Sequence, residues 1–265
     1  MEPDRPPVST PAFWEGLYAA GEDGWDLGEP APPLAAWLAN GGRFEASGLS
    51  ADRSIAARSR PGSSADRGSA GAISGPPPMK GLEGVHASPA TPSPLVPARI
   101  AVPGAGRGHD ARLLARHGYQ VTAFDFAEAA TDEARRLAAA EGVAITVEAR
   151  DVFTLARDHA GAFDAVWEYT CFCAIDPARR REYVEVLHAI LKAGGILLAC
   201  FYPLRDGTDG PPFPVSREAV DRALAGRFAV LEAGPPARSA ERRRGLEWLV
   251  RARREPAGPV GASGR

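Results

Sequence analysis

Three short groups of residues carry most of the chemical potential of this sequence. Gly104-Ala105-Gly106-Arg107-Gly108 directly follows the apolar run Ala98 to Val102 and opens a helix-like segment. Glycines at such a junction let a ligand touch backbone because no Cβ intervenes, although they also suit a bare tight turn. The spacing is GxGxG, with His109 three residues after Gly106, so the dinucleotide fingerprint GxGxxG is not met. A ligand without a pyrophosphate fits better. Asp125 ends the next strand-like run, 21 residues beyond Gly104, where an acidic side chain can accept hydrogen bonds from both hydroxyls of a ribose or cap the following helix. Asp151-Val152-Phe153 lies just past a third such run. There a carboxylate can take the adenine amine while Val152 and Phe153 form an apolar wall, or the group can be an ordinary capped turn.

Positioning these groups requires a chain of alternating strands and helices. Apolar runs at 98–102, 120–124, 144–148, 163–167, 196–202, 228–232 and 246–251 read as strands. Helices are expected from about Asp110, from Ala127 to about Glu141, from the cap pair Asp176-Pro177 to about Leu191, and from about Ser216. Gly194-Gly195 reads as the stop of the third of these. The alternation predicts an α/β fold, a parallel sheet with helices on both faces, and a ligand beyond the carboxyl ends of the strands. Three acidic or glycine groups at the ends of three successive strands describe an adenosine pocket with no phosphate grip, which is the demand S-adenosylmethionine makes.

Composition narrows the classes further. The chain has 265 residues, 45% of them hydrophobic and 24% charged, enough to bury the core of one large α/β domain. Its formal net charge of −2 gives no reason to expect nucleic acid. The three cysteines, Cys171, Cys173 and Cys200, sit in apolar runs; an odd, sparse set argues against disulfides and against a zinc site, so no metal is expected. No stretch approaches the ~18 apolar residues of a membrane span, and the N-terminus lacks the basic and apolar regions of a signal peptide. A soluble, cytoplasmic monomer is the expectation. Between Ala46 and Val96, 33 of 51 residues are Gly, Pro, Ser or Ala, and no aromatic residue occurs between Phe44 and Tyr119. Burial there cannot offset an ordering cost of ~1–2 kcal/mol per residue. The expected organisation is a lid segment at 1–45, a disordered insertion at 46–96, a core at 97–255 and a loose tail at 256–265.

The motifs FWEGLYAAGEDGWDLGEPAPPL, AVPGAGRGHDARLLA, DVFTL, FDAVWEYTCFCAIDPARRREYVEVLHAILKAGGILL and FYPLRDGTDGPPFPVSREAV span nearly the whole chain outside the insertion. In this order they resemble the thiopurine S-methyltransferase superfamily, closest to its halide and thiol (thiocyanate) methyltransferase branch. The resemblance implies a class I S-adenosylmethionine-dependent methyltransferase fold, Rossmann-like, with seven mostly parallel strands and an antiparallel last one. It also implies Trp14, Tyr18 and Trp25 over the cofactor, Gly104 at its amino-acid end, Asp125 on the ribose, Asp151 and Val152 at the adenine, and Tyr169 near the methyl donor. Relatives join the N-terminal helix to the first strand by a much shorter link, so the insertion departs from their pattern. The aromatic trio suits a sulfonium, because ring faces attract cations by roughly 0.5–2 kcal/mol; the same rings would also suit a packed amphipathic helix.

Methyl transfer from a sulfonium is an in-line displacement with a neutral leaving group, so it needs near-attack geometry more than a strong base. Thiols are partly ionised near neutral pH, and thiocyanate or halide ions need no deprotonation. The expected small-molecule acceptor is therefore a soft nucleophile: a thiol, hydrosulfide, thiocyanate or halide, with a larger thiopurine-type aromatic thiol as the alternative. Tyr169 and Tyr202 could offer hydroxyl donors to an anionic acceptor; Glu168 and Asp176 could assist a thiol, or orient neighbours and cap a helix. Cys171 and Cys173 read as buried small residues. Arg179 to Arg181 and Arg242 to Arg244 read as solvated faces, with Arg244-Gly245 falling near the family's substrate side. An NAD(P)-dependent oxidoreductase and a non-catalytic adenosine-binding module are the competing classes.

Overall fold

The computed structural model describes residues 6–46 and 96–256. Apart from Ala46, Val96 and Pro256, the expected insertion at 46–96 and tail at 256–265 lie outside the described residues. Seven strands form one sheet: β1 (Arg99–Pro103), β2 (Gln120–Asp125), β3 (Thr146–Ala149), β4 (Phe163–Tyr169), β5 (Leu191–Phe201), β6 (Phe228–Gly234) and β7 (Trp248–Arg254). Their order is β3-β2-β1-β4-β5-β7-β6. β1 to β5 pair in parallel, whereas β7 runs antiparallel to both of its neighbours. β1 and β4 lie side by side at the centre, and the chain leaves them in opposite directions across the sheet. That reversal opens a crevice at their carboxyl ends.

Among the described residues eight helices accompany the sheet: α1 (Pro11–Ala20), α2 (Pro32–Ala39), α3 (His109–Arg116), α4 (Glu128–Ala140), α5 (Leu155–Asp158), α6 (Cys171–Ala174), α7 (Arg180–Ile190) and α8 (Arg217–Leu224). Period-two alternation in the strands feeds two cores. On one face Val166 of β4 and Leu197 of β5 pack with Leu155, Leu187 and Val220. On the other, the adjacent residues Trp167 and Leu198 pack with Leu34 and Leu38 of α2 and Leu114 of α3. β4 is buried along nearly its whole length, as expected for a central strand covered on both sides.

Caps place the helices as the sequence suggested. Asp176 accepts from the Ala178 amide and opens a short 3-10 turn at Pro177–Arg179 that runs into α7; Ser216 accepts from Ala219 at the start of α8. One boundary differs. α7 ends at Ile190 and β5 begins at Leu191, which pairs with Phe163, before the register jumps to Ile196 opposite Ala165. Gly194 and Gly195 thus lie inside a bulge of β5 instead of stopping the helix. A Cβ on Gly195 would stand 2.9 Å from the Lys192 carbonyl and 3.1 Å from that of Asp164, so the close backbone approach requires glycine. Among the described residues no helix is long and apolar enough to cross a membrane.

Candidate active site

A cavity of about 620 Å³ opens at the carboxyl ends of the central strands. It brings together Trp14, Tyr18 and Trp25 from the N-terminal segment, Gly104 and Gly106 after β1, Asp125 at the end of β2, Asp151 and Val152 after β3, Tyr169 at the end of β4, and Tyr202 after β5. Glu168 is the one sequence candidate that is not part of this wall.

The glycine loop has two separate reasons for its composition. Gly104 has φ +60°, and a Cβ there would meet the Cys171 side chain at 2.7 Å; Gly106 has φ +52° and lies beneath the Tyr18 hydroxyl. The amides of Ala105, Gly106 and Gly108 already donate to the Phe124 carbonyl, to Asp125 Oδ2 and to the Ala105 carbonyl, at 2.9, 2.8 and 2.9 Å. Three of the loop's amides are thus taken up within the protein. Asp125 also accepts from the Ala127 amide at 3.0 Å, a turn bond just before α4, whose first amides, those of Glu128 and Ala129, donate to Glu15 instead; Asp125 is thus a cavity carboxylate and not the cap of that helix. Burial pushes its carboxyl above the usual range against the opposing pull of the amides bonded to it. Asp151 similarly accepts from the Phe153 amide at 2.9 Å while lining the cavity with Val152 and Phe153.

The N-terminal segment is fastened over this end of the sheet by polar bonds. Asp110 of α3 accepts from the Ala31 amide at 2.6 Å and from the Trp167 indole at 2.7 Å. Arg107 pairs with Asp26 at 2.7 Å, and Arg243 Nη2 donates to the Trp25 carbonyl at 2.6 Å. Trp25 meets Trp14 and Tyr18 edge to face, with ring centroids 5.3 and 5.4 Å apart. Such T-shaped contacts fix the rings relative to one another.

The cavity and its surroundings also hold residues that the sequence alone did not single out. Arg243 is 1% exposed, not a solvated residue of an arginine run, and its Nη1 is buried with no hydrogen-bond partner among the described residues. Its guanidinium lies over the rings of Tyr169 and Tyr202, 5.1 and 4.8 Å from their centroids. Arg242 and Arg244 are exposed, as expected. The Tyr169 hydroxyl donates to Glu247 Oε1 at 2.6 Å, so its proton is committed to a buried carboxylate and is not available to an anionic acceptor. Thr170, at φ +67°, turns the chain sharply after Tyr169. A non-glycine residue in this region is strained and persists only where its surroundings enforce it.

Glu168 corrects another expectation. Adjacent strand residues face opposite ways, and Trp167 stacks on Tyr169 with centroids 5.9 Å apart, which leaves Glu168 on the other face. It is 1% exposed and accepts from the Phe172 amide at 2.6 Å, holding the α6 turn; burial pushes its carboxyl up to about 7. Asp176 does line the cavity, where it caps its turn. Cys171 and Cys173 line it too, but burial raises both thiols, that of Cys173 to about 12, which leaves them protonated and inert. Among the described residues no group of three or more His, Cys, Asp or Glu is arranged to hold a metal.

The profile of the thiopurine S-methyltransferase family matches residues 86–256. The chain belongs to this family. Within it, similarity extends to thiocyanate methyltransferase 1 of Brassica oleracea, 31% identical over 142 residues that cover 53% of this chain and 61% of the relative. It extends also to a probable thiol methyltransferase 2 of Arabidopsis thaliana, 24% identical over 80% of this chain and 70% of that one. The chain thus spans about three-fifths of the length of the Brassica relative. Among solved structures, a Burkholderia thailandensis 1,6-didemethyltoxoflavin N1-methyltransferase with bound S-adenosylhomocysteine aligns at TM-score 0.51 and 25% identity, over 60% of this chain and 72% of that one. The sheet order and the antiparallel β7 are those of a class I methyltransferase fold. Arg243 and Glu247 escaped notice in the sequence because one sits in an arginine run and the other beside a strand start, neither with a periodic signal.

Proposed function

We propose that this member of the thiopurine S-methyltransferase family is an S-adenosylmethionine-dependent enzyme that methylates a small soft nucleophile, a thiol, hydrosulfide, thiocyanate or halide. The observation that carries the acceptor class is the buried Arg243, whose unpartnered Nη1 belongs to a cavity-lining side chain. A desolvated cation with a free donor is costly to maintain and is relieved by an anion. The cofactor assignment is supported by the GxGxG spacing of the glycine loop, which departs from the dinucleotide fingerprint, together with the Asp125 and Asp151 carboxylates on the cavity wall.

When bound, S-adenosylmethionine supplies an electrophilic methyl group on a sulfonium and departs as a neutral thioether. The chain's own residues then have separable tasks. Asp125 accepts from the ribose hydroxyls with the lone pairs its two amide bonds leave over, and Asp151 accepts from the adenine amine. Trp14, Tyr18 and Trp25 exclude water from the cationic end and favour its charge. Arg243 draws the anionic acceptor into the same enclosure, and Tyr202 offers it a hydroxyl. With both reactants held, orientation accounts for most of the acceleration. The reading includes a cytoplasmic monomer; the three buried free cysteines suit a reducing compartment.

A panel assay tests it: purified chain and S-adenosylmethionine with iodide, thiocyanate, hydrosulfide, an alkyl thiol, a thiophenol, a thiopurine, a catechol and a primary amine, following the demethylated cofactor. Turnover of the soft nucleophiles is expected. Turnover confined to the thiopurine and thiophenol would move the acceptor to larger aromatic thiols, and turnover confined to the catechol or amine would refute the acceptor class. Calorimetry in which NAD binds and S-adenosylhomocysteine does not would refute the cofactor.

A further inference from the structure

The direction of the hydrogen bond between Tyr169 and Glu247 bears on which acceptors the site can use. Tyr169 is part of the cavity wall and donates its proton to Glu247 Oε1 at 2.6 Å. Glu247 is 2% exposed, and its Oε2 is buried with no partner among the described residues. A hydroxyl whose proton is held by a carboxylate presents only lone pairs on its other side. Lone pairs do not stabilise an anion, but they accept a proton from a neutral S–H group. The other ionisable groups facing this pair are Arg243 from the turn before β7, Cys200 from β5 and, through Arg243, Asp110 from α3. Cys200 is held protonated by burial and cannot compete as acceptor.

We propose that Tyr169 and Glu247 form a proton relay that deprotonates neutral sulfur acceptors, alkyl thiols or hydrogen sulfide, as they are methylated. This rests on the methyltransferase reading above and specifies which acceptors depend on which residues. As the acceptor sulfur takes the methyl group, its S–H bond breaks and the proton passes to Tyr169 Oη. The proton already on Oη moves to Glu247 Oε1, and the electron pair of the broken donor bond stays on the donor sulfur. The cycle ends with a thioether, the neutral demethylated cofactor and a protonated Glu247, which returns its proton through Tyr169 to solvent once the product has left. Burial pushes the Tyr169 hydroxyl well above its usual range, so a free tyrosinate is disfavoured and the two transfers are coupled. Glu247 touches neither acceptor nor cofactor; it is a positioning residue acting through Tyr169. Arg243, over the Tyr169 ring, serves acceptors that arrive as anions.

The test compares an alkyl thiol with thiocyanate, from pH 6 to pH 9, for the wild-type chain, Glu247→Gln, Tyr169→Phe and the double variant. Binding of S-adenosylhomocysteine, measured by calorimetry, reports that each site is assembled. For the wild type, thiol kcat/KM is expected to vary little between pH 6 and 8. For Glu247→Gln it should fall tenfold or more at pH 6 relative to thiocyanate, and then rise about tenfold per pH unit as the thiol ionises in solution. The double variant should be no worse on the thiol than Tyr169→Phe alone, because the two residues act as one unit. If Glu247→Gln does not bind the demethylated cofactor, Tyr169→Phe, which keeps the ring and removes only the relay oxygen, is expected to give the same change in ratio and pH profile. Equal losses on both acceptors with an unaltered pH profile would overturn the relay. So would a wild-type profile that already tracks thiol ionisation, or wild-type turnover of thiocyanate without any thiol; all of these leave the methyltransferase reading intact. Wild-type turnover of no soft nucleophile would remove that reading and the relay with it.

Discussion

The Gly106 amide donates to Asp125 Oδ2 at 2.8 Å, so the last residue of β2 holds the glycine loop of β1 in place. One carboxylate therefore shapes the loop and faces the cavity. Asp125→Ala is expected to weaken binding of S-adenosylhomocysteine by about 1.5–3 kcal/mol, the range for lost charge-assisted hydrogen bonds. It should also lower Tm, since two amides lose their acceptor. Calorimetry and thermal unfolding check this; an affinity within twofold of wild type would show that Asp125 only shapes the loop.

Trp25 touches both Trp14 and Tyr18 edge to face and has its carbonyl bonded to Arg243. If these rings serve a sulfonium, their loss must matter more for the charged cofactor than for its neutral product. Trp25→Ala is expected to weaken S-adenosylmethionine more than S-adenosylhomocysteine, by about 0.5–2 kcal/mol. Equal weakening of the two would reduce the trio to a water-excluding wall.

Arg243 donates one hydrogen bond to the Trp25 carbonyl and keeps another donor, Nη1, without a partner among the described residues. Arg243→Gln is expected to raise KM for thiocyanate and iodide tenfold or more while changing KM for a neutral alkyl thiol less. The contrast separates anion recognition from loss of the bond to Trp25, which would weaken every acceptor alike. Steady-state kinetics on the three acceptors decide between them.

The parts of the site that lie at strand ends were legible in the sequence, because hydrophobic periodicity locates strand ends and a βα turn exposes whatever follows. Gly104, Asp125 and Asp151 belong to this group, whereas it is the family resemblance that points to Tyr169 at the end of β4. Alternation also contained the answer for Glu168: Trp167 and Tyr169 share a face, so the residue between them faces away. Arg243 and Glu247 were not legible. They enter the site from a 3-10 turn and from the residue before β7, where no periodicity distinguishes a buried charge from a solvated one. Gly194 and Gly195 misled for a related reason, since glycine marks a helix end and a strand bulge equally well, and only the pairing of Leu191 with Phe163 distinguishes them.

Glu168 also sets a pH dependence of stability that is independent of turnover. Burial raises its carboxyl from an ordinary value of 4.5 to about 7, against the pull of the Phe172 and Cys171 amides, and Oε2 has no hydrogen-bond partner among the described residues. The fold thus favours the protonated form. The stability contributed by this proton is complete below about pH 4.5 and is lost as pH rises through about 7. Glu168→Gln keeps a neutral acceptor for the same amides and cannot ionise. Between pH 5 and pH 8 the stability of the wild type should therefore decline relative to Glu168→Gln, by up to the order of 3 kcal/mol, with most of the change below about pH 7 and little beyond it. Urea unfolding of both proteins at one-unit pH intervals gives the difference directly. A difference that stays constant over this range would mean that Glu168 remains ionised in the folded protein, its charge stabilised by the α6 amides despite its burial.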